Sequence, residues 1–321
     1  MVWNIILLII GMVLMIKGAD EFVEGASTLA KKLRIPSLVI GLTLVSIGTS
    51  MPELSVSITA SIKGNNDISF GNVIGSNVFN TFLVIGSAAI FTPLLIDKNM
   101  KKFDLPILML VYGVLALFSF VVTPQIIQTW EAIIIFALTF IYTAFLLLRS
   151  KNEIKNEEVD LEELKQIKTS SNVFLLLCGL AGVVGGGTLV VDNAAIIAKA
   201  LGMSELLVGL TVVAIGTSLP ELVTSIVAAK KGENDIAVGN AVGSSLFNVV
   251  LILGLSATII PMNVDLGNLV DIIVMFASAV IIFIMAFTKG QVNKWKGILL
   301  LVIYVVYFVY IILRDYGMLP F

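Results

Sequence analysis

Apolar runs of about 20 residues, the length that crosses a hydrocarbon core, alternate with short polar breaks along the whole chain. Ten spans are predicted: Val2–Ala30, Val39–Ile62, Val73–Leu95, Leu105–Val122, Trp130–Leu148, Asn172–Ala200, Leu206–Ala229, Val238–Ile260, Leu266–Phe287 and Trp295–Leu313. The breaks hold Lys, Asn, Asp, Gly and Pro, as turns require. The one long polar stretch, Arg149 to Ser171, carries Glu153, Glu157, Glu158, Asp160, Glu162 and Glu163 among lysines and reads as a solvated connector. The expected fold class is an all-α membrane protein of ten transmembrane helices in two inverted five-helix repeats.

The repeats are visible in the polar positions. Residues 41–90 and 209–258 align without a gap at an offset of 168, with 28 of 50 positions identical. Packing alone would preserve small and apolar residues, whereas here Asn, Ser, Thr, Asp and Glu recur too. Five spans per half is odd, so the halves must be upside-down relative to each other, an architecture that places a midplane site between repeats in many secondary transporters. The expected organisation is residues 1–149 as the first five-helix repeat with its motif at 41–90, 150–171 as a cytoplasmic acidic loop, and 172–321 as the second repeat with its motif at 209–258.

Lysine and arginine placement sets the expected orientation. One side receives Lys31, Lys32, Arg34, Lys98, Lys101, Lys102, Lys151, Lys155, Lys165, Lys230, Lys231, Lys289, Lys294 and Lys296; the other receives Lys63, Lys199 and Arg314. Both termini are therefore expected outside a cell membrane and the central loop in the cytoplasm. Met1-Val2-Trp3-Asn4 lacks the basic start of a signal peptide, so the first run reads as a retained span.

Composition agrees: 58% of the 321 residues are hydrophobic and 13% charged, with a mean hydropathy of +1.04, against about 25% charged in soluble domains. A net charge of −2 gives no reason to expect nucleic acid. The absence of histidine excludes His-ligated zinc, a His general base and a His proton relay. The single cysteine, Cys178, makes no intramolecular disulfide and reads as a small buried hydrophobe.

Within the spans, each repeat carries Gly-Thr-Ser-x-Pro-Glu, at Gly48–Glu53 and Gly216–Glu221. A carboxylate in hydrocarbon costs about 2.5–3.5 kcal/mol on insertion scales, so Glu53 and Glu221 are expected to serve a site. Pro52 and Pro220 remove an N–H and oppose the carbonyls of Gly48 and Gly216, which breaks the helix and frees backbone oxygens. Ser46, Thr49, Ser50, Glu53 and Ser57 fall on one broad helical face. The second motif, Gly-Asn-x-x-Gly-Ser-x-x-x-Asn, puts Asn72, Ser76 and Asn80, then Asn240, Ser244 and Asn248, on polar stripes at i, i+4, i+8. Gly71/Gly75 and Gly239/Gly243 are pairs that let helices approach closely. For Asn72 and Asn240, interhelical hydrogen bonding and ligation both remain open. Two carboxylates with neutral oxygens suit hard cations, Ca²⁺, Mg²⁺ or alkali ions, and the flexible mixed set favours Ca²⁺ over Mg²⁺.

At these residues the chain resembles the cation/calcium exchanger superfamily, particularly its prokaryotic Na⁺/Ca²⁺ exchanger branch. The resemblance implies electrogenic antiport by alternating access, with Ca²⁺ and Na⁺ as substrates, the lipid bilayer as surroundings, no cofactor and no obligatory protein partner. It implies Glu53 and Glu221 as central ligands, carbonyls of Thr49 and Thr217 for Ca²⁺, and Ser50, Ser76, Ser218 and Ser244 around flanking Na⁺ sites with carbonyls of Ser46 and Ala214. Asn80 and Asn248 would complete the middle, and the first and sixth spans, with Glu24 and Asp192, resemble the bundle that moves. The K⁺-dependent branch typically has aspartate where this chain has Asn248, which argues against K⁺ co-transport. The Ca²⁺/H⁺ branch typically has histidine in its second motif, and Ser245 stands where asparagine is usual. The loop is too short for the calcium-sensing domains of animal exchangers. The alternative within transporters is H⁺-coupled Ca²⁺ or cation exchange through the same glutamates. A channel would conduct without a counter-ion gradient, and an intramembrane enzyme lacks a catalytic constellation.

Overall fold

The structure is a computed structural model that describes residues 1–153, 169–202, 214–288 and 290–319. Most of the acidic loop, the stretch 203–213 that precedes the second Gly-Thr-Ser-x-Pro-Glu motif, and Lys289 therefore lie outside the described residues. In order, the long elements are α1 (Val2–Leu33), α2 (Ser37–Thr49), α3 (Met51–Ile62), α4 (Asn66–Phe91), α5 (Met100–Val122) and α6 (Thr129–Glu153). They continue with α7 (Thr169–Ala200), α8 (Ala214–Thr217), α9 (Leu219–Lys230), α10 (Asn234–Ile259), α11 (Leu266–Phe287) and α12 (Lys294–Asp315). Among the described residues eight helices are long and apolar enough to cross a membrane, nine if the bent pair α2–α3 counts as one span. The chain is a multi-pass membrane protein. The expected seventh span, Leu206–Ala229, begins outside the described residues.

The chain forms two compact units, Met1–Pro52 with Tyr142–Gly243, and Glu53–Ile141 with Ser244–Phe321. Each unit draws on both halves of the sequence. The first unit is dominated by α1 packed against α7. Glycine makes this pairing possible: a Cβ at Gly18 would lie 2.6 Å from Val183 N, at Gly186 2.6 Å from Met15 N, and at Gly11 2.8 Å from Gly186 O. Backbone meets backbone along the seam, where small residues are the only fit. Two amides staple the pair, Asn4 Nδ2 donating to Asn193 Oδ1 at 3.1 Å and Asn172 Nδ2 to Gly25 O at 3.1 Å. The descending order of these contacts makes the helices antiparallel. The Gly11, Gly18, Gly25 spacing of seven was present in the sequence as the signal of this seam.

Helix α1 ends where Arg34 turns left-handed (φ 55°), and Pro36 follows, which cannot continue a helix. Lys231, in the turn after α9, reaches α1: its Nζ lies 2.9 Å from Asp20 Oδ1 and 3.4 Å from Glu24 Oε2. Cys178 corrects an expectation. It is exposed on α7 beside exposed Leu177 and Phe174, because the glycine-rich side of α7 takes the seam and turns the bulkier apolar side outward.

In the second unit, α11 packs on α5 and α12 on the end of α4, where a Cβ at Gly86 would sit 3.0 Å from Gly297 O. Four two-residue strands stitch the connections. β1 (Leu94–Leu95) pairs antiparallel with β4 (Gln291–Val292), with Leu94 opposite Val292; β2 (Ile126–Ile127) pairs antiparallel with β3 (Met262–Asn263), with Ile127 opposite Met262. Glu131 caps its own helix start by accepting from Gln128 N at 2.8 Å, the reciprocal half of a capping box.

Asp271 accepts from Arg314 Nη2 at 2.9 Å and from Tyr307 Oη at 3.0 Å, and Arg314 Nη1 also donates to Gly267 O at 2.7 Å. These bonds lock the start of α11 to the end of α12. With side chains 10% and 21% exposed, the pair is partly screened, so Asp271→Ala is expected to cost about 2–3 kcal/mol, below the range for breaking a fully buried pair. Thermal unfolding in detergent measures this; an unchanged melting temperature would remove the lock from the account.

Candidate cation site

The helix break forms where the prolines require it. α2 ends at Thr49, Ser50 sits outside helical geometry (φ −82°, ψ 9°), and α3 sets off at 50° to α2 with Pro52 in its first turn. Ser218 does the same in the second repeat (φ −94°, ψ 6°), and Pro220 occupies the first turn of α9. Proline is well placed there, since first-turn N–H groups have no intrahelical partner. The break therefore restarts a helix, and Glu53 and Glu221 lie in its first turn, where the helix dipole favours a negative charge. Both glutamates are fully buried.

In the first unit, Ser46, Thr49, Ser50, Thr217, Ser218 and Glu221 are all buried. Ser50 Oγ donates to Glu221 Oε1 at 2.8 Å. Asn240 joins the two broken helices: its Nδ2 donates to Glu221 O at 3.2 Å and to Ser225 Oγ at 3.0 Å, and its Oδ1 accepts from Thr49 Oγ1 at 3.0 Å. Ser225 Oγ in turn donates to Ala237 O at 3.1 Å. Close approach of α10 to α2 is needed for this, and a Cβ at Gly243 would lie 2.7 Å from both Leu42 O and Ser46 Oγ. Ala214 opens α8.

In the second unit, Glu53, Ser76, Asn80, Ser244 and Asn248 are buried. Asn72 repeats the strut, donating to Glu53 O at 3.2 Å and to Ser57 Oγ at 2.9 Å. Asn72 and Asn240 thus both make hydrogen bonds across helices. In both repeats the asparagine follows its glutamate by 19 residues, a spacing that was legible in the sequence. Nothing among the described residues lies within 4 Å of a Cβ at Gly71 or Gly75.

Asn80 and Asn248 behave differently. Both are fully buried, and neither side-chain amide has a hydrogen-bond partner among the described residues. Each lies in a π-helical turn, Phe79–Val84 and Asn248–Leu253, a local widening that recurs at functional sites. Buried amides with neither donor nor acceptor used require a ligand or water. No group of three or more His, Cys, Asp or Glu comes together among the described residues; the buried polar groups gathered around the two breaks are mainly neutral oxygens, the donor type that suits hard ions.

The sodium/calcium exchanger protein family model matches residues 3–148 and 171–313. Inner membrane protein YrbG of Escherichia coli (strain K12) is 37% identical, with 92% of each chain covered. Sodium/calcium exchanger MaX1 of Methanosarcina acetivorans is 33% identical over 95% of this chain and 97% of its own. Among solved structures, the sodium-calcium exchanger NCX_Mj superposes with a TM-score of 0.83 at 29% identity, covering 97% of this chain and 99% of that one. The chain belongs to the sodium/calcium exchanger protein family.

Proposed function

We propose that the chain exchanges Na⁺ for Ca²⁺ across the cell membrane by alternating access, with Glu53 and Glu221 as the central carboxylates of its cation site. Family membership already makes it an ion transporter and not an enzyme, with ions as substrates and no cofactor. The observation that carries the finer reading is the same construction in both repeats: a buried glutamate in the first turn after a break, its carbonyl tied down by an asparagine strut. A strut that spends its amide on a backbone carbonyl fixes the acid's position without competing for its side-chain oxygens. Ser50, by donating its proton to Glu221, leaves its oxygen lone pairs for a cation.

In this reading two carboxylates balance one Ca²⁺, and Thr49, Thr217, Ser46 and Ala214 add backbone carbonyls while Ser50, Ser76, Ser218 and Ser244 add hydroxyls for Na⁺. Na⁺ and Ca²⁺ are of similar size and compete for one oxygen set, which couples their movements in opposite directions. Asn80 and Asn248 complete the middle, consistent with their unused amides. Residues 1–149 and 172–321 act as inverted repeats of five spans each, with 150–171 as the cytoplasmic loop and both termini outside. The strand pairs support the alternation, because the connections they join, 94–95 with 291–292 and 126–127 with 262–263, are separated by an even number of expected spans.

Equilibrium binding of radiolabelled Ca²⁺ to the purified protein tests the shared site. Displacement by Na⁺ but not by K⁺ is the expected result, and Ca²⁺ binding indifferent to Na⁺ would refute it. Asn248→Asp adds a third carboxylate and is expected to change the Na⁺:Ca²⁺ preference about tenfold, the scale of about 1.4 kcal/mol, with an unchanged melting temperature. Identical binding curves would take Asn248 out of the site.

A further inference from the structure

The α3–α4 hairpin of the second unit carries two polar stripes that face each other. On α3, Glu53, Ser57 and Ser61 recur at four-residue steps. On α4, Asn66, Ser69, Asn72, Ser76 and Asn80 recur at steps of three or four and share one face. The bonds from Asn72 to Glu53 O and Ser57 Oγ join the stripes beside the glutamate. At the far end, Gly64 N donates to Ser61 O and Asn65 N to Ala60 O, both at 2.9 Å, and close the turn. Between strut and turn, Ser61 Oγ, Ser69 Oγ and Asn66 Oδ1 are buried and have no hydrogen-bond partner among the described residues. The Asn66 amide is held in place, since its Nδ2 donates to Pro261 O at 2.7 Å. Buried oxygens in this condition call for a ligand or water. The second repeat keeps only the asparagine, as Asn234; buried Ala229 and Ala237 stand for Ser61 and Ser69. Closing such a hairpin therefore does not require the two hydroxyls.

We infer that Ser61, Asn66 and Ser69 form a staging site for Na⁺, where the ion exchanges part of its hydration shell for protein oxygens before it reaches Glu53. Ser61 lies two helical turns along α3 from Glu53, about 12 Å at 1.5 Å per residue, so one ion does not touch both. The cluster offers neutral oxygens and no buried carboxylate. Such a set coordinates an alkali ion that keeps some of its water, and it brings no charge to retain Ca²⁺. The exposed charges at this end of the hairpin, Lys63 and Asp67, are one of each sign, so neither sign of ion is strongly drawn there. A weak neutral stop lowers the cost of shedding water on the way in and leaves the free and fully bound states as they are. It therefore speeds binding and release by the same factor. The equivalent hairpin of the second repeat, with methyl groups in place of both hydroxyls, lacks this stop.

The inference rests on the Na⁺/Ca²⁺ exchange proposed above, and the test separates the two. S61A, S69A and the double variant are made in the full-length protein, with S55A, at an exposed serine of α3, as control. Release of bound Ca²⁺ on mixing with subsaturating Na⁺ is followed by stopped flow with a Ca²⁺ indicator. Equilibrium displacement of radiolabelled Ca²⁺ by Na⁺ and ion-free thermal unfolding are measured on the same preparations. The double variant is expected to slow release about three- to tenfold, the ratio one hydrogen bond carries when it acts on a barrier. The Na⁺ concentration for half displacement should not change, and S55A should match the wild type. Ion-free melting should hold or rise, because alanine removes buried hydroxyls that lack partners. Unchanged release rates in the double variant would leave the cluster a seat for water only and overturn the staging role. Weaker equilibrium displacement with a fall in melting temperature would make the serines structural and overturn it as well. Wild-type protein whose bound Ca²⁺ is not displaced by Na⁺ would overturn the exchange reading itself, a failure seen before any variant is compared.

Discussion

Glu53→Gln and Glu221→Gln are each expected to abolish exchange while leaving a folded protein. Glutamine keeps the volume of the side chain and its place in the first turn of the restarted helix. The asparagine struts bind the backbone carbonyls of these residues, so they survive the change. Ser50 still has an amide oxygen to donate to at position 221. What disappears is one of two negative charges, and with it half the charge that balances a divalent ion in a medium where charge is poorly screened. Ca²⁺ affinity is expected to fall at least about a hundredfold, equivalent to about 2.7 kcal/mol. Ion-free stability should hold or rise, because a carboxylate at this depth costs about 2.5–3.5 kcal/mol on insertion scales. Flux and melting temperature measured on one preparation decide it: near-normal exchange by either variant would remove the central role of that glutamate, and an unfolded protein would mean the acid is structural.

Gly18→Leu is expected to eliminate the folded protein. The seam between α1 and α7 brings a would-be Cβ of Gly18 to 2.6 Å from Val183 N and 2.7 Å from Gly179 O, distances no real Cβ accepts. Backbone cannot move aside as a flexible side chain does. Alanine at this position is expected to cost about 1–3 kcal/mol, the range for overpacking, and leucine more than the pairing can bear. Gly185 provides the control on α7 itself: nothing among the described residues lies within 4 Å of a Cβ there. Gly185→Ala should be neutral or stabilise by up to about 1 kcal/mol through helix propensity. Size-exclusion profiles and thermal unfolding in detergent read out all three; a stable Gly18→Leu protein would show that α1 and α7 do not meet through this face.

The helix breaks and the burial of the two glutamates were legible where the residues permit one conformation or one environment. Proline at position 52 forces a break, and a glutamate between apolar runs has to be sheltered inside the protein, as Glu53 and Glu221 are; their role as ligands is the reading proposed above. The repeat then doubled each inference. The hydrogen bonds of Asn72 and Asn240 were not legible, because an amide donates to a carbonyl or ligates a cation with the same side chain; only the 19-residue spacing from the glutamate hinted at a strut. The π turns at Asn80 and Asn248 left no mark, since they cost one extra residue per turn and any apolar sequence can supply it. Cys178 was misplaced for a related reason: hydropathy rises equally for residues facing hydrocarbon and residues facing a helix. The glycine spacing of seven in α1 was the missing discriminator, marking the face that packs and so the opposite face that does not.

Radiolabelled Ca²⁺ uptake into proteoliposomes, with matched vesicles loaded with Na⁺, with K⁺ or with acid inside, tests the central claim most directly. Uptake only into Na⁺-loaded vesicles, faster under an inside-positive potential as several Na⁺ leave for each Ca²⁺ that enters, is the predicted result. Uptake driven by the pH gradient alone, with internal Na⁺ without effect, would contradict Na⁺ coupling and make the same glutamates carriers of protons.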